Sequence, residues 1–470
     1  MKYVSTRDTS QKTLTFSEVI LNGLAPDGGL YVPVNYPEFS KKTLQKLANA
    51  SYQKLAFECM QAYVGSDLTS TELNSLINQT YQENIFANNK SITPITSLDK
   101  NLYLQDLSTG PSLAFKDIAL QFLGRTMDYL LEKNDQKLTI LGASSGDTVS
   151  AAEQALKSKS RINVVMLTPI TGMSEFQKAQ AGTILDKNIF NVSINGPFDT
   201  CQDLVKAINR DAEFKKTYCI GAVNSINWGR ILAQLVYYFK GYLNVIKDIG
   251  DPCDVVVPSG NFGNVLAAYI AKRMGLPLRR LIVATNENTV LDRFFKQGLY
   301  QKTTVKVTSS PSMDISKASN LERFFFDLAD RKASTLSEWM HTFEGKHSID
   351  LGETLRDKAK DYGFYSGSST HDQRALEIKR IYDTSNRVID PHTAAAVKVA
   401  KDYQIDTVPM ICMETAKPCK FENTIKQSLG FIPARPKGYE NIENAKQRFY
   451  QVDDNTQALK DFIRQHIQIN

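Results

Sequence analysis

Histidine and cysteine are both scarce in this 470-residue chain, and neither is spaced for chemistry. The five histidines (His341, His347, His371, His392 and His466) form no metal or triad pattern, so neither a metal site nor a catalytic histidine is expected. His392 falls in Asp390-Pro-His-Thr393, which reads as an N-cap aspartate with proline at the first helical position. The six cysteines (Cys59, Cys201, Cys219, Cys253, Cys412 and Cys419) contain no Cys-x-x-Cys pair, and all six read as free thiols in a reducing compartment. No apolar run approaches the roughly 18–20 residues that cross a bilayer. The polar opening Met1-Lys-Tyr-Val-Ser-Thr-Arg-Asp8 lacks the marks of a signal or transit peptide, so a cytoplasmic protein with no membrane partner is expected. Dense basic runs with interleaved aromatics are missing, which argues against nucleic acid, and the net charge of +6 is small for the length, though it suits an anionic small molecule. A Gly-x-Ser-x-Gly elbow is also missing, which disfavours hydrolase chemistry.

What is present is an α/β pattern. The length exceeds the roughly 250–300 residues at which one core stops growing, so at least two domains are expected. Residues 1–95 read as an N-terminal helical region, with Phe16-Ser-Glu-Val-Ile-Leu-Asn-Gly23 helical and Lys42 to Val64 a helical stretch burying Leu44, Leu47, Leu55 and Phe57. From about residue 100, apolar strands alternate with loops and helices. The strands are Leu138 to Gly142, Asn163 to Thr168, Asp254 to Pro258 and Arg280 to Ala284. That alternation predicts largely parallel sheets. The Ser/Thr/Gly-rich stretches 305–320 and 361–374 read as loops. The expected division is a large domain from 96–143 and 241–435, a smaller one over 144–240, and a charged helical tail over 436–470.

Four segments carry chemistry. Gly110-Pro-Ser-Leu-Ala-Phe-Lys-Asp117 sets Lys116 between Phe115 and Asp117, just after a turn and at the start of a long apolar-periodic segment. A lysine desolvated there loses its proton readily and attacks aldehydes; left in water it only solvates a helical turn. Ser259-Gly-Asn-Phe-Gly-Asn264 follows a strand and opens a helix, as a phosphate cradle or a capped turn does. It is neither a Walker loop nor a dinucleotide fingerprint. Ser144-Ser-Gly-Asp-Thr148 is a second loop of this kind, and Asn224-Ser-Ile-Asn-Trp-Gly-Arg230 adds a guanidinium, with helix capping the competing reading for both. One lysine with several anion loops points to a cofactor bearing an aldehyde and a phosphate, namely pyridoxal 5'-phosphate.

These segments, together with Thr415-Ala-Lys-Pro418, Thr285-Asn-Glu-Asn288, Ser310-Pro-Ser-Met-Asp-Ile315 and Gly23-Leu-Ala-Pro-Asp-Gly-Gly-Leu-Tyr-Val-Pro33, resemble the threonine synthase family, in its longer bacterial and fungal branch. The match runs in order over roughly residues 3 to 430. The resemblance implies the fold type II architecture of pyridoxal-phosphate enzymes: two α/β domains with mostly parallel sheets plus the N-terminal region. It implies a lyase that converts O-phospho-L-homoserine and water to L-threonine and phosphate, as a monomer or homodimer. By the same resemblance Lys116 is the Schiff-base lysine, and Phe115 and Asp147 are further cofactor contacts. Gly260, Asn261, Phe262, Gly263 and Asn264 are the cofactor phosphate loop, and Thr415 faces the pyridine nitrogen. Ser144, Ser145, Asp147 and Thr148 lie near the cofactor's phenolic oxygen and the substrate carboxylate, and Asn224, Ser225 and Arg230 lie at the substrate phosphate. Two departures sit beside these loops: Thr109-Gly-Pro-Ser112 stands where the family often has His-Gly-Pro-Thr, and Val149 where it often has Gly. A serine/threonine dehydratase or phospho-lyase using the same cofactor is the alternative, along with a binding protein that has lost turnover.

Overall fold

The computed structural model describes residues 1–10, 12–144, 146–170, 173–196 and 198–468. Two sheets organise it. The larger has six strands in the order Phe364–Ser368, Leu278–Thr285, Cys253–Pro258, Met410–Glu414, Leu102–Asp106 and Ile95–Asp99, parallel throughout except for the last pair. The smaller has five parallel strands in the order Tyr450–Val452, Ile189–Ile194, Ile162–Pro169, Leu138–Ala143 and Ile220–Gly221. Parallel strands are covered on both faces and so read as continuous apolar runs. Cys253–Pro258 and Met410–Glu414 are buried at every residue.

The helices Lys116–Lys133, Trp228–Val245 and Gly263–Arg273 pack among the sheets, and the N-terminal helices Phe16–Asn22, Tyr52–Val64 and Ser70–Thr80 lie against them through Phe16, Leu55 and Leu73. One apolar cluster runs through all of these, from Phe16 and Leu55 to Ile231 and Val265. A second covers the other face of the six-stranded sheet, where Ile378, Ile381 and Val397 meet Val256 and Ile282. No helix is long and apolar enough to cross a membrane, among the described residues.

Several boundaries differ from the sequence reading. Strand Leu138–Ala143, expected in the large domain, pairs with Ile162–Pro169 in the five-stranded sheet. The stretch 436–470 is not a free helical tail: Tyr450–Val452 extends that sheet beside Val192–Ile194, and helix Thr456–His466 buries Leu459 and Ile463 in its apolar cluster. The stretch 361–374 holds the strand Phe364–Ser368 and the start of helix His371–Ser385. Its small residues answer to close packing, since a Cβ on Gly367 would lie 2.8 Å from Val399. Lys42 to Val64 splits into Lys41–Leu47 and Tyr52–Val64, because Ser51 caps the second helix by accepting the Lys54 N–H at 3.2 Å.

Candidate active site

Lys116 opens the helix Lys116–Lys133, and the turn before it is held by the chain that follows strand Met410–Glu414. The Phe115 N–H donates to the Thr415 carbonyl at 2.9 Å, the Lys417 N–H donates to the Leu113 carbonyl at 3.0 Å, and Ala114 bridges Ala416. This pairing sets Thr415 across from the residues that lead into Lys116. Asp117 turns back, and its Oδ2 accepts the Ser112 N–H at 2.8 Å. Gly110 permits the turn, since a Cβ there would lie 2.4 Å from the Asp117 Cβ. Asp117 is thus a clamp on the lysine's turn, and burial pushes its carboxyl up to about 7.

The Lys116 side chain is 12% exposed, and its Nζ lies 3.9 Å from Asp147 Oδ2. Burial pushes this amine down to about 8; Asp147 opposes the shift, while Arg230 and Lys420 reinforce it. Asp147 opens the helix Asp147–Leu156. Burial alone would raise its carboxyl, but Lys420, Lys116 and His392 outweigh burial and hold it below the usual range. Its Oδ1 meets the Lys420 Nζ at 3.1 Å and accepts from Gln177 Nε2 at 3.1 Å, while Oδ2 accepts from Ser312 Oγ at 3.3 Å.

The turn Ser259–Asn264 links strand Cys253–Pro258 to helix Gly263–Arg273. Phe262 takes a left-handed conformation, φ 66°, with its ring held against Phe295, Phe324 and Phe364 at 5.6–6.2 Å. That packing offsets the roughly 1–2 kcal/mol that a non-glycine residue costs there. Gly260 cannot carry a Cβ without meeting the Ser312 carbonyl oxygen at 2.3 Å. The Asn264 amide oxygen accepts from Tyr237 at 2.5 Å and Tyr238 at 2.6 Å, so that side chain anchors the turn to helix Trp228–Val245. Asn320 ties two loops together, its Nδ2 donating to the carbonyls of Asn261 at 3.1 Å and Ser225 at 3.2 Å.

Arg230 is buried and has no acidic partner among the described residues: Nη1 donates to the Val223 carbonyl at 3.2 Å, Nε donates to none of them, and burial pushes the group down to about 10. Of its expected companions, Ser225 is half-buried and Asn224 is exposed. Ser144 and Thr148 are half-buried on either side of Asp147; Ser145 lies outside the described residues. The structure therefore brings Lys116, Phe115, Asp147, Arg230 and Thr415 into one region, with Gly260 joined to Asp147 through Ser312. Lys420, Gln177 and Asn320 were missed, and no local signal marks them beyond a lysine set in the apolar Pro418–Phe421 turn; Ser312 lies in the Ser310–Ile315 segment that carries the resemblance, but was given no role. Asp390 caps its helix as expected, but its Oδ1 also pairs with His392 Nδ1 at 2.7 Å, leaving Nε2 to accept the Ser312 N–H at 3.1 Å. His392 thus supports the Ser312 loop.

The site offers an amine, a buried guanidinium and hydroxyls with no partner of their own. Ser112 Oγ, Ser259 Oγ, Arg230 Nε and Asn264 Nδ2 are all buried without a hydrogen bond among the described residues. Such orphaned donors beside a low-pKa amine fit pyridoxal 5'-phosphate and an anionic substrate.

Comparison with known proteins agrees. Family models match residues 2–81 (Threonine synthase N terminus), 89–371 (Pyridoxal-phosphate dependent enzyme) and 393–463 (Threonine synthase, C-terminal). The chain is 46% identical to a threonine synthase of Methylobacillus glycogenes, over 99% of this chain and 100% of that protein. It is 44% identical to one of Corynebacterium glutamicum, over 98% of each. The crystal structure of PLP-bound threonine synthase from Brucella melitensis matches at a TM-score of 0.96 and 36% identity, covering 100% of both chains. With a desolvated lysine, orphaned anion donors and full-length likeness in hand, the chain belongs to the threonine synthase family and is a pyridoxal-phosphate-dependent lyase of fold type II.

Proposed function

We propose that this protein converts O-phospho-L-homoserine and water to L-threonine and phosphate, with Lys116 as its reactive amine, working in the cytoplasm as a monomer or homodimer. The observation that carries the reading is a buried lysine 3.9 Å from Asp147 Oδ2, in a site where the buried Arg230 leaves its Nε without a partner among the described residues. Lys116, the Ser259–Asn264 turn and Thr415 would hold pyridoxal 5'-phosphate, which would supply a sink for the electrons left when substrate protons are removed. Lys116 Nζ, neutral once the substrate is bound, takes protons from the substrate Cα and Cβ; phosphate leaves from Cγ, water adds its oxygen at Cβ, and protons are delivered to Cγ and Cα. Arg230, with Asn224 and Ser225, receives the substrate phosphate and stabilises its negative charge as it leaves. Ser144, Ser145 and Thr148 bind the substrate carboxylate. Thr415, a hydroxyl in place of a carboxylate, would leave the ring nitrogen of the cofactor without a full negative partner.

The test is product analysis. Protein mixed with O-phospho-L-homoserine should release threonine and phosphate in equal amounts. Ammonia and a keto acid would show the dehydratase reaction instead. Arg230→Ala should raise KM for this substrate by about tenfold or more, the cost of losing a charge-assisted bond, with little change in cofactor retention. Loss of cofactor would mean that Arg230 serves the other phosphate.

A further inference from the structure

We propose that Lys420 is a positioning residue, whose buried ammonium fixes Asp147 through Oδ1, offsets the charge that Asp147 presents to the reactive amine, and ties the turn bearing Lys116 to the helices of the five-stranded sheet. Its side chain is 0% exposed and meets three segments at once. Nζ donates to the Ser112 carbonyl at 2.7 Å, which is the turn before Lys116, and to Gln180 Oε1 at 2.6 Å, on helix Glu175–Gly182. It also pairs with Asp147 Oδ1 at 3.1 Å. An ammonium carries three donors and a charge, so the two neutral oxygens alone would leave one donor and the charge unmet. The third partner is a buried carboxylate whose other nearby ammonium, Lys116, stands farther off at 3.9 Å. By occupying Oδ1 together with Gln177, Lys420 leaves Oδ2 to face Lys116 and Ser312.

The charges around the amine show what this arrangement does. Lys116 is faced by Asp147 from helix Asp147–Leu156, Arg230 from helix Trp228–Val245, Lys420 from the turn Pro418–Phe421 and Asp117 from its own helix. Asp147 is faced in addition by His392 from helix Pro391–Tyr403. Without Lys420, the full negative charge of Asp147 turns on Lys116 and a repelling cation disappears. Both changes keep a proton on the amine, which then cannot attack an aldehyde. Lys420 thus acts on the reaction through Asp147 and touches no reacting atom.

This rests on the reading of Lys116 as the amine that captures the cofactor, and the experiment separates the two. Full-length protein stripped of cofactor is mixed with pyridoxal 5'-phosphate between about pH 6 and 10. The covalent product is trapped with borohydride and located by mass spectrometry. No adduct at Lys116 in the parent protein overturns the underlying reading. If the adduct forms there, Lys420→Met and Lys420→Gln should displace the pH profile of its rate upward by about one unit, a roughly tenfold loss near neutral pH. Lys420→Arg, which keeps the charge, should stay within about threefold of the parent. With Asp147→Asn in the same chain, the effect of Lys420→Met should shrink to about threefold or less. Unchanged profiles in both neutral variants, or a full-sized effect without the carboxylate, overturn the proposal. If both neutral variants fail to fold, Asp147→Asn should restore folding, because it removes the stranded charge; failure to do so overturns the proposal as well.

Discussion

Asp117 shows how a side chain beside the reactive amine can serve the turn before it. It adjoins Lys116 in sequence, yet it grips the Ser112 N–H, and its other oxygen is buried with no partner among the described residues. Its carboxyl is raised from 3.8 to about 7 by burial. A raised carboxyl is most favourable below its ordinary value, and what it contributes is lost as pH climbs through about 7, on the order of a few kcal/mol for such a shift. Asp117→Asn keeps an acceptor for Ser112 and cannot ionise. Urea unfolding of cofactor-free protein should therefore show the variant gaining on the parent between pH 5 and 8. Parallel curves would show that Asp117 titrates normally. Lys116 itself was legible because everything that marks it lies within eight consecutive residues. Lys420 was not, because its partner Ser112 is 308 positions away, and the same holds for Asn320, whose two acceptors lie 59 and 95 positions off.

Strand and turn together make the anion cradle. Cys253–Pro258, buried at every residue, runs into Ser259–Asn264, where Gly260 leaves room for the Ser312 carbonyl and Phe262 accepts a left-handed backbone. Gly260→Ala would press a methyl group to 2.3 Å from a backbone oxygen, so one of the two loops must move. Cofactor affinity should fall by about tenfold or more, the scale of one lost charge-assisted bond, with the circular dichroism spectrum kept. Unaltered affinity in a fluorescence titration would mean that the loop yields freely. Such strand–turn–helix units were readable because an apolar run ending in small polar residues has few other structures open to it. Phe364–Ser368 was not, since its Ser366 and Gly367 imitate a loop while answering to Asp292 and Val399.

The two sheets, taken as a whole, draw on residues far apart in the chain, which is why the expected domain limits slipped. The five-stranded sheet is completed by Tyr450–Val452, and helix Thr456–His466 covers its apolar cluster with Leu459, Phe462 and Ile463. Those side chains with Val452 and Ile467 contribute about 10 kcal/mol of burial, as large as the stability of a typical domain. A chain ended after residue 449 should therefore aggregate, or melt at least about 10 °C below the parent. Retention of the parent Tm in calorimetry would make the last segment dispensable. The alternation of strands and helices announces two parallel sheets, but it carries no information on which strands share one.

Met410–Glu414 lies in the middle of the six-stranded sheet, between Cys253–Pro258 and Leu102–Asp106. Its immediate sequel pairs with the turn before Lys116. During synthesis on the ribosome, the chain thus spends most of its elongation with a vacant slot at the centre of its principal sheet and two raw edges facing each other. The vitamin can be loaded only after that slot is filled. Ribosome-stalled chains halted before residue 410 should bind holdase chaperones and take up no pyridoxal 5'-phosphate, whereas the finished chain should do the reverse.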